Sequence, residues 1–223
     1  MKTIKTALLF AFIGLNIAFQ AQNTTPTVKM GPQEWTTKNL DVVAFRNGDS
    51  IPEAKTFEAW KKAEVQGTPA WCYYDFDPKN GEKYGKLYNW FAVNDPRGVA
   101  PKGYHVPSEA EWKSLVSYLG GEKKAGQKLK STEGWSKHPI EEKGRSYDGN
   151  GTNESGFSGL PGGILSVGSF DYDGYIGYWW SSTEDEDYSA NNVWYYALGC
   201  IDDLTSGGFA NKGEGKSVRC VRD

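Results

Sequence analysis

Residues 103–121 read GYHVPSEAEWKSLVSYLGG and predict the best-defined helix of the chain. Ser108 can cap the free backbone N–H groups at its start, and Glu111, three residues later, can reach back to the cap. Four apolar residues then recur at helical spacing: Trp112, Leu115, Val116 and Leu119. Gly120 and Gly121 can adopt the left-handed backbone conformation that ends a helix. The apolar stripe predicts a helix packed against a core, so this stretch is a scaffold element and not a functional site.

Short apolar segments on both sides of this helix predict an α+β domain. We expect a small twisted antiparallel sheet, two or three short helices and long ordered loops. The predicted strands are residues 34–46, 71–77, 177–183, 192–198 and 217–221, and the other predicted helices are 56–63 and 122–130. Residues 84–93 fit a helix or a strand. Residues 131–163 lack the apolar spacing of a helix or a strand, but Phe157 and Leu160 are expected to pack into a core.

The first 21 residues have the features of a secretory signal peptide: a basic start, an apolar run and the small residue Ala21. The alternative is a membrane anchor, but the run is interrupted by Gly14 and Asn16 and is short for a span. We therefore expect cleavage after Ala21 and a secreted or cell-surface protein that does not span a membrane. A flexible polar lead over 22–33 and one domain over 34–223 are predicted to follow.

Charge and cysteine content narrow the function classes. The net charge is −3, with no basic cluster, which argues against nucleic acid as a partner. In an oxidising compartment, three cysteines predict one disulfide and one remaining thiol. Cys200 and Cys220 flank the last hairpin-like segment and are the first choice for the pair, with Cys72 and Cys220 as the rival. The cysteine spacings do not match a metal site.

The sequence offers little support for catalysis. Ser181 and Ser182 lack the glycine context of a nucleophilic serine. His105 and His138 are the only histidines, and His105 stands directly before the helix cap, where a structural role is expected. Carboxylates are numerous, but nothing fixes two of them at the separation that glycoside hydrolysis needs. We therefore expect a protein that is not an enzyme.

A set of short motifs resembles one known family. The motifs occur in order as 35–40 (WTTKNL), 84–90 (YGKLYNW), 103–108 (GYHVPS), 111–112 (EW), 156–163 (GFSGLPGG), 179–184 (WWSSTE) and 217–221 (SVRCV). Together they resemble the Fibrobacter succinogenes major paralogous domain over residues 34–223. The resemblance implies a C-type lectin-like fold, in its formylglycine-generating-enzyme-like version, and an exported bacterial protein with a surface or carbohydrate-adhesion role.

The chain also departs from what the resemblance implies. Ala100 stands where many members of the family have a cysteine before Pro-x-Gly. The formylglycine-generating relatives oxidise a cysteine with closely spaced cysteines of their own, whereas the three cysteines here are far apart. The resemblance therefore implies no catalytic residues for this chain.

The predicted ligand site lies in the loops around 170–178 and 184–192. Trp90 and Trp112 are expected in the core. Of Trp179 and Trp180, at most one is expected to be buried in a single core, because consecutive strand residues point to opposite faces. The other is expected to meet a loop or solvent. An exposed aromatic residue would stack on a sugar ring while neighbouring polar groups bind its hydroxyls. The predicted stacking residues are Tyr172, Tyr175 and Trp179, and the predicted hydrogen-bonding residues are Asp171, Asp173 and Asn191.

Two further interpretations stay open. Oxygen-bearing side chains near Trp179 and Trp180 in sequence would suit a structural calcium ion. Their spacing is not that of an EF-hand, and no metal ligand is assigned. These side chains belong to Asp171, Asp173, Glu184, Asp185, Asp187, Asn191 and Asn192. The favoured partner is a glycan, bound without catalysis. The alternative is a structural or protein-interaction module that binds a component of the bacterial cell envelope.

Overall fold

The computed structural model describes residues 25–140, 145–184, 191–201 and 205–223. Five α-helices lie in these ranges: α1 Phe57–Gln66, α2 Pro78–Tyr84, α3 Trp90–Val93, α4 Glu109–Tyr118 and α5 Glu122–Leu129. The strands are β1 Thr27–Met30, β2 Gln33–Thr36, β3 Trp71–Cys72, β4 Leu87–Tyr88, β5 Tyr104–His105, β6 His138–Ile140, β7 Arg145–Tyr147, β8 Gly162–Ser166, β9 Ser169–Asp173, β10 Ile176–Glu184, β11 Asn192–Gly199, β12 Thr205–Asn211 and β13 Val221–Arg222. The α+β class is confirmed. None of the described helices is long and apolar enough to cross a membrane.

The central predicted helix forms as α4, with the capping box at its start. The Glu111 backbone N–H donates to Ser108 Oγ at 3.3 Å, and the Ser108 backbone N–H donates to Glu111 Oε2 at 2.8 Å. The four apolar residues of the predicted stripe are all buried. Gly120 ends the helix with a φ of 105°, a conformation that side chains other than glycine adopt rarely.

Two sheets organise the domain. The larger has the strand order β12-β11-β10-β8-β9, and the smaller, β1-β2-β13-β5, joins the two ends of the described chain. The pair β10–β8 is parallel, so the prediction of a purely antiparallel sheet is wrong at this position. The prediction of two or three helices is also too low. The seven-residue α2 lies in a segment for which no helix was predicted, and the four-residue α3 lies in the segment that fitted a helix or a strand.

One face of β10 packs against α4. Trp179 is 1% exposed, and its ring centroid lies 6.5 Å from that of Trp112 and 5.7 Å from that of Phe157. The indole N–H of Trp179 donates to Asn39 Oδ1 at 2.9 Å. The expectation that Phe157 fills a core is confirmed, since this ring is fully buried. Trp179 is therefore a core residue and does not stack on a ligand as predicted.

The opposite face of β10 is buried as well. Trp180 is 0% exposed, and its indole N–H donates to the Tyr88 carbonyl at 2.7 Å. Trp90 lies over the same face and donates its indole N–H to the Ser181 carbonyl at 2.9 Å. Trp179 and Trp180 thus lie in two different core clusters, in agreement with at most one of them in a single core. The expectation that the other meets a loop or solvent is wrong, because β4 and α3 form a second layer over the sheet.

Three segments differ from their predicted structure. The lead predicted over 22–33 is wrong from Thr27 onward, because β1 pairs with β2 and places Met30 in the core. Only the start of the strand predicted over 34–46 forms, as β2. The strand predicted over 71–77 stops after β3, where Asp75 and Phe76 adopt φ values of 55° and 54° and turn the chain.

The predicted disulfide between Cys200 and Cys220 is not formed. Cys220 lies in the core cluster that contains Trp180, whereas Cys200 lies in the cluster on the other side of the sheet with Trp179. Cys72 and Cys220 are buried thiols, so the rival pair is not formed either. Burial raises the pKa of Cys220 to about 12 and that of Cys72 well above its usual value, which keeps both thiols protonated.

The C-terminus is held by an imidazole between two carboxylates. The ring nitrogens of His105 lie 2.7 Å from Glu111 Oε1 and 2.9 Å from Asp223 Oδ1. Burial acts to lower the pKa of His105, but the hydrogen bonds to Glu111 and Asp223 outweigh it and raise the pKa. Because Glu111 also caps α4, its carboxylate connects the helix start to His105 of β5, and His105 in turn bonds to Asp223, which follows β13.

We expect Trp179→Ala and Trp180→Ala each to lower the free energy of unfolding by about 3–5 kcal/mol, because each removes a large buried ring. Trp194→Ala, at a half-buried position of the neighbouring strand, is the matched control and should cost clearly less. Urea unfolding of the three variants measures the difference. Equal losses in all three would contradict burial of both faces.

We expect the stabilising contribution of His105 to depend on pH. A folded-state pKa raised above the unfolded value gives a contribution that is complete below the unfolded pKa and is lost as pH rises through the folded pKa. The gap in unfolding free energy between wild type and His105→Gln should therefore be larger at about pH 6 than at about pH 9. Denaturant titrations at both pH values measure this gap. A gap that does not change with pH would contradict a stabilising interaction of protonated His105 with Glu111 and Asp223.

Candidate functional site

Four tyrosine rings surround an open groove of about 440 Å³ at one end of the larger sheet. We call this surface the tyrosine groove: Tyr172, Tyr175, Tyr178 and Tyr195, with Ile176, Ala197, Gly199, Cys200, Ile201 and Ser206 completing the lining. Tyr172 and Tyr175 are each about half exposed. The groove therefore exposes aromatic surface to solvent.

Strand register places the floor of the groove. Tyr178 is two residues from Trp180 on β10 and so points to the same face. It pairs with Ala197 of β11, and Trp180 pairs with Tyr195. The floor is thus the continuation of the Trp180 face, beyond the point where the second layer stops covering it.

A turn between β9 and β10 forms the wall. The Tyr175 backbone N–H donates to the Tyr172 carbonyl at 3.0 Å, and the Cys200 N–H donates to the Tyr175 carbonyl at 2.8 Å. Tyr172 has a φ of 66°, which is uncommon for an aromatic residue. Its ring centroid lies 6.2 Å from that of Tyr178. The turn is therefore tied to the end of β11, and its unusual backbone holds Tyr172 over the floor.

A buried cation lies beside the floor. Lys216 is fully buried and bonded to Glu214, with its Nζ 4.3 Å from the Trp180 ring centroid and 4.9 Å from that of Tyr195. Burial lowers the pKa of Lys216 to about 8, although Glu214 opposes the shift. The lysine and the glutamate compensate each other, so the groove next to them carries little net charge.

The tyrosine hydroxyls of the floor stay protonated. Burial, followed by the charge of Glu214, raises the pKa of Tyr195. Burial also raises the pKa of Tyr178, with a smaller contribution from Tyr195. The described lining contains no ionisable side chains other than tyrosines and Cys200. The groove can therefore offer apolar ring faces and neutral hydroxyl groups to a ligand.

The structure brings together only part of the predicted site. Tyr172 and Tyr175 both line the groove, whereas Asp171 and Asp173 are not among its lining residues. Asp171 Oδ2 accepts from Ser169 Oγ at 2.6 Å. Burial, followed by the interaction with Asp173, raises the pKa of Tyr84.

The remaining predicted site residues lie elsewhere. Trp179 is in the core. Asn191 precedes β11 and is six positions from Ala197, or about 20 Å along an extended strand. Residues 185–190 of the predicted second loop, including Asp185 and Asp187 of the calcium hypothesis, lie outside the described residues. Within the described ranges, no three His, Cys, Asp or Glu side chains are placed to hold a metal ion.

Sequence reasoning missed Tyr178, Tyr195, Ile201 and Ser206. The sequence contained a pattern that indicates the first two. Tyr178 is two residues from Trp180 and so lies on the same face of β10, and Tyr195 is next to the buried Tyr196 and so lies on the opposite face of β11. Ser206 is placed by the register of β12, where it pairs with Ala197. That register is set by tertiary packing and has no local sequence signature.

The comparisons with known proteins give one match. The family model described as the Fibrobacter succinogenes major domain matches residues 28–222, and this range includes all of β1 except Thr27 and the whole tyrosine groove. No curated protein and no solved structure matches the chain.

Proposed function

We propose that this chain, which belongs to the Fibrobacter succinogenes major domain family, binds carbohydrate through the tyrosine groove without catalysing a reaction. The observation that carries the proposal is the pair of half-exposed rings, Tyr172 and Tyr175, held by a fixed turn over a floor of two more tyrosines. An exported, cell-surface location and a C-type lectin-like fold, both implied by the family resemblance, are part of the same proposal.

The chemistry of the lining suits a neutral sugar. The C–H face of a pyranose is apolar and packs on an aromatic ring, while its hydroxyls need hydrogen-bond partners. The tyrosine hydroxyls and Ser206 supply partners that both donate and accept. A charged ligand would find no opposite charge in the described lining, so a neutral glycan is favoured.

Binding without reaction follows from the same lining. Glycoside hydrolysis uses two carboxylates about 5–10 Å apart around the bond that breaks. The described groove residues supply neither a carboxylate nor an imidazole. We therefore propose retention of a glycan with no release of product.

We expect a glycan array to show binding by the purified protein that survives a calcium chelator. Tyr172→Ala and Tyr175→Ala should each weaken binding by about 1–2 kcal/mol, roughly fivefold to thirtyfold in Kd, because each removes one stacking ring. Tyr118→Ala is the matched control, since Tyr118 is an exposed tyrosine on α4 that lies outside the groove. The control should bind like wild type.

Other outcomes of the same experiment contradict the proposal in distinct ways. Binding that is lost with the chelator would place the ligand on acidic loops and not in the groove. New reducing ends in a retained polysaccharide would reveal an enzyme. Absence of any glycan binding, with specific capture of one envelope protein that needs Tyr172 and Tyr175, would favour the protein-interaction module.

A further inference from the structure

A second cavity, of about 510 Å³, lies apart from the tyrosine groove and shares no lining residue with it. Its walls come from four stretches of the chain, residues 37–41, 81–85, 131–133 and 153–160, and Arg219 also lines it. We call it the Arg219 pocket. It is lined mainly by polar side chains, in contrast to the groove.

Arg219 is 1% exposed and is held by neutral oxygens alone. Its Nε donates to Asn39 Oδ1 at 2.7 Å, and its Nη1 donates to the carbonyls of Thr36 and Phe157 at 2.8 and 2.6 Å. Its Nη2 donates to the Ser158 carbonyl at 3.1 Å. A guanidinium has five N–H groups, so these bonds leave one N–H on Nη2 for a further acceptor.

The missing counter-charge sets Arg219 apart from two other buried cations. Lys86 is bonded to Asp41, and Lys216 is bonded to Glu214. Among the described residues, no carboxylate pairs with Arg219. Burial lowers the pKa of Arg219 to about 9, so the guanidinium is charged at neutral pH. A buried charge without an opposite charge is costly, and an anion arriving from outside would relieve that cost.

The rim of the pocket limits which anions fit. Lys38 and Lys83 add positive charge, but Glu82 and Glu133 add the same amount of negative charge, and none of these four forms an ion pair in the described part of the chain. Asp41, the third carboxylate of the lining, is compensated by Lys86. Lys83 Nζ instead donates to the Tyr84 hydroxyl at 2.5 Å. A polyanion would be repelled by the two glutamates, whereas a small molecule with one carboxylate can reach the floor between them.

We propose that the Arg219 pocket binds a small molecule through its carboxylate, which accepts from Arg219 Nη2 at the floor and from Lys83 Nζ at the rim. The ligand class is a monocarboxylic acid of the size of an acylated amino acid. This second site is independent of carbohydrate binding in the tyrosine groove, because the two cavities have separate linings.

The test is a titration of the full ¹⁵N-labelled protein with N-acetylglycine, followed by NMR at the Arg219 Nε–H and the Asn39 side-chain amide. N-Acetylglycinamide, which has the same shape without the charge, is the control probe. We expect saturable shifts of both signals with the acid and none with the amide. Lys83→Gln should raise the Kd about twofold to fivefold, and Lys79→Gln, on the same helix but outside the pocket, should not.

Arg219→Lys is the direct variant, but it removes bonds that hold the fold, so Lys83→Gln serves as the variant that keeps the structure. Equal shifts with acid and amide, or no shift at Arg219 and Asn39 at high N-acetylglycine, would overturn the proposal. So would shifts that spread over surface lysines without saturation. Tyr172→Ala should leave the titration unchanged, so failure here and failure in the groove are distinguishable.

Discussion

Burial of β10 on both faces is the constraint on which the rest of the structure depends. Trp179 and Trp180 point in opposite directions, so the strand needs a packed layer on each side. Both indole N–H groups find acceptors outside β10, Asn39 Oδ1 and the Tyr88 carbonyl. An unpartnered buried N–H would be costly, so these bonds also fix where the two covering layers lie. The tyrosine groove exists because the layer over the Trp180 face, formed by β4 and α3, does not cover the whole length of β10.

Buried and partly buried polar groups specify this arrangement further. Asn39 accepts from both Trp179 and Arg219 through one oxygen, while its amide nitrogen donates to the Tyr84 carbonyl and to Ser217 Oγ. One side chain thus joins β10, the C-terminal segment and the end of α2. Such a network is favourable only when every member finds its partner, so it selects against alternative packings. The same network leaves one N–H of Arg219, which lines the second pocket, without an acceptor among the described residues.

Local patterns in the sequence predicted the elements that local forces determine. The capping box of Ser108 and Glu111, the apolar stripe of α4 and the helix α5 needed no tertiary information. That neither tryptophan meets a loop or solvent was not predicted, because the second layer comes from segments far away in sequence. The composition of the site depends on tertiary structure as well. Asp171 and Asp173 neighbour Tyr172 in the chain, but they are not among the residues that line the groove. The floor of the groove is formed by the tyrosines that share a face with Trp180, and strand pairing decides which they are.

The central claim is that the tryptophans of β10 are enclosed while the tyrosines on the turn beyond them are open to solvent. Hydroxyl-radical footprinting with mass spectrometry measures side-chain exposure residue by residue and tests this claim directly. The structure predicts fast oxidation of Tyr172 and Tyr175 and protection of both Trp179 and Trp180 in the native protein. Oxidation of either tryptophan at the rate of those tyrosines would contradict the doubly covered sheet, and with it the origin of the groove.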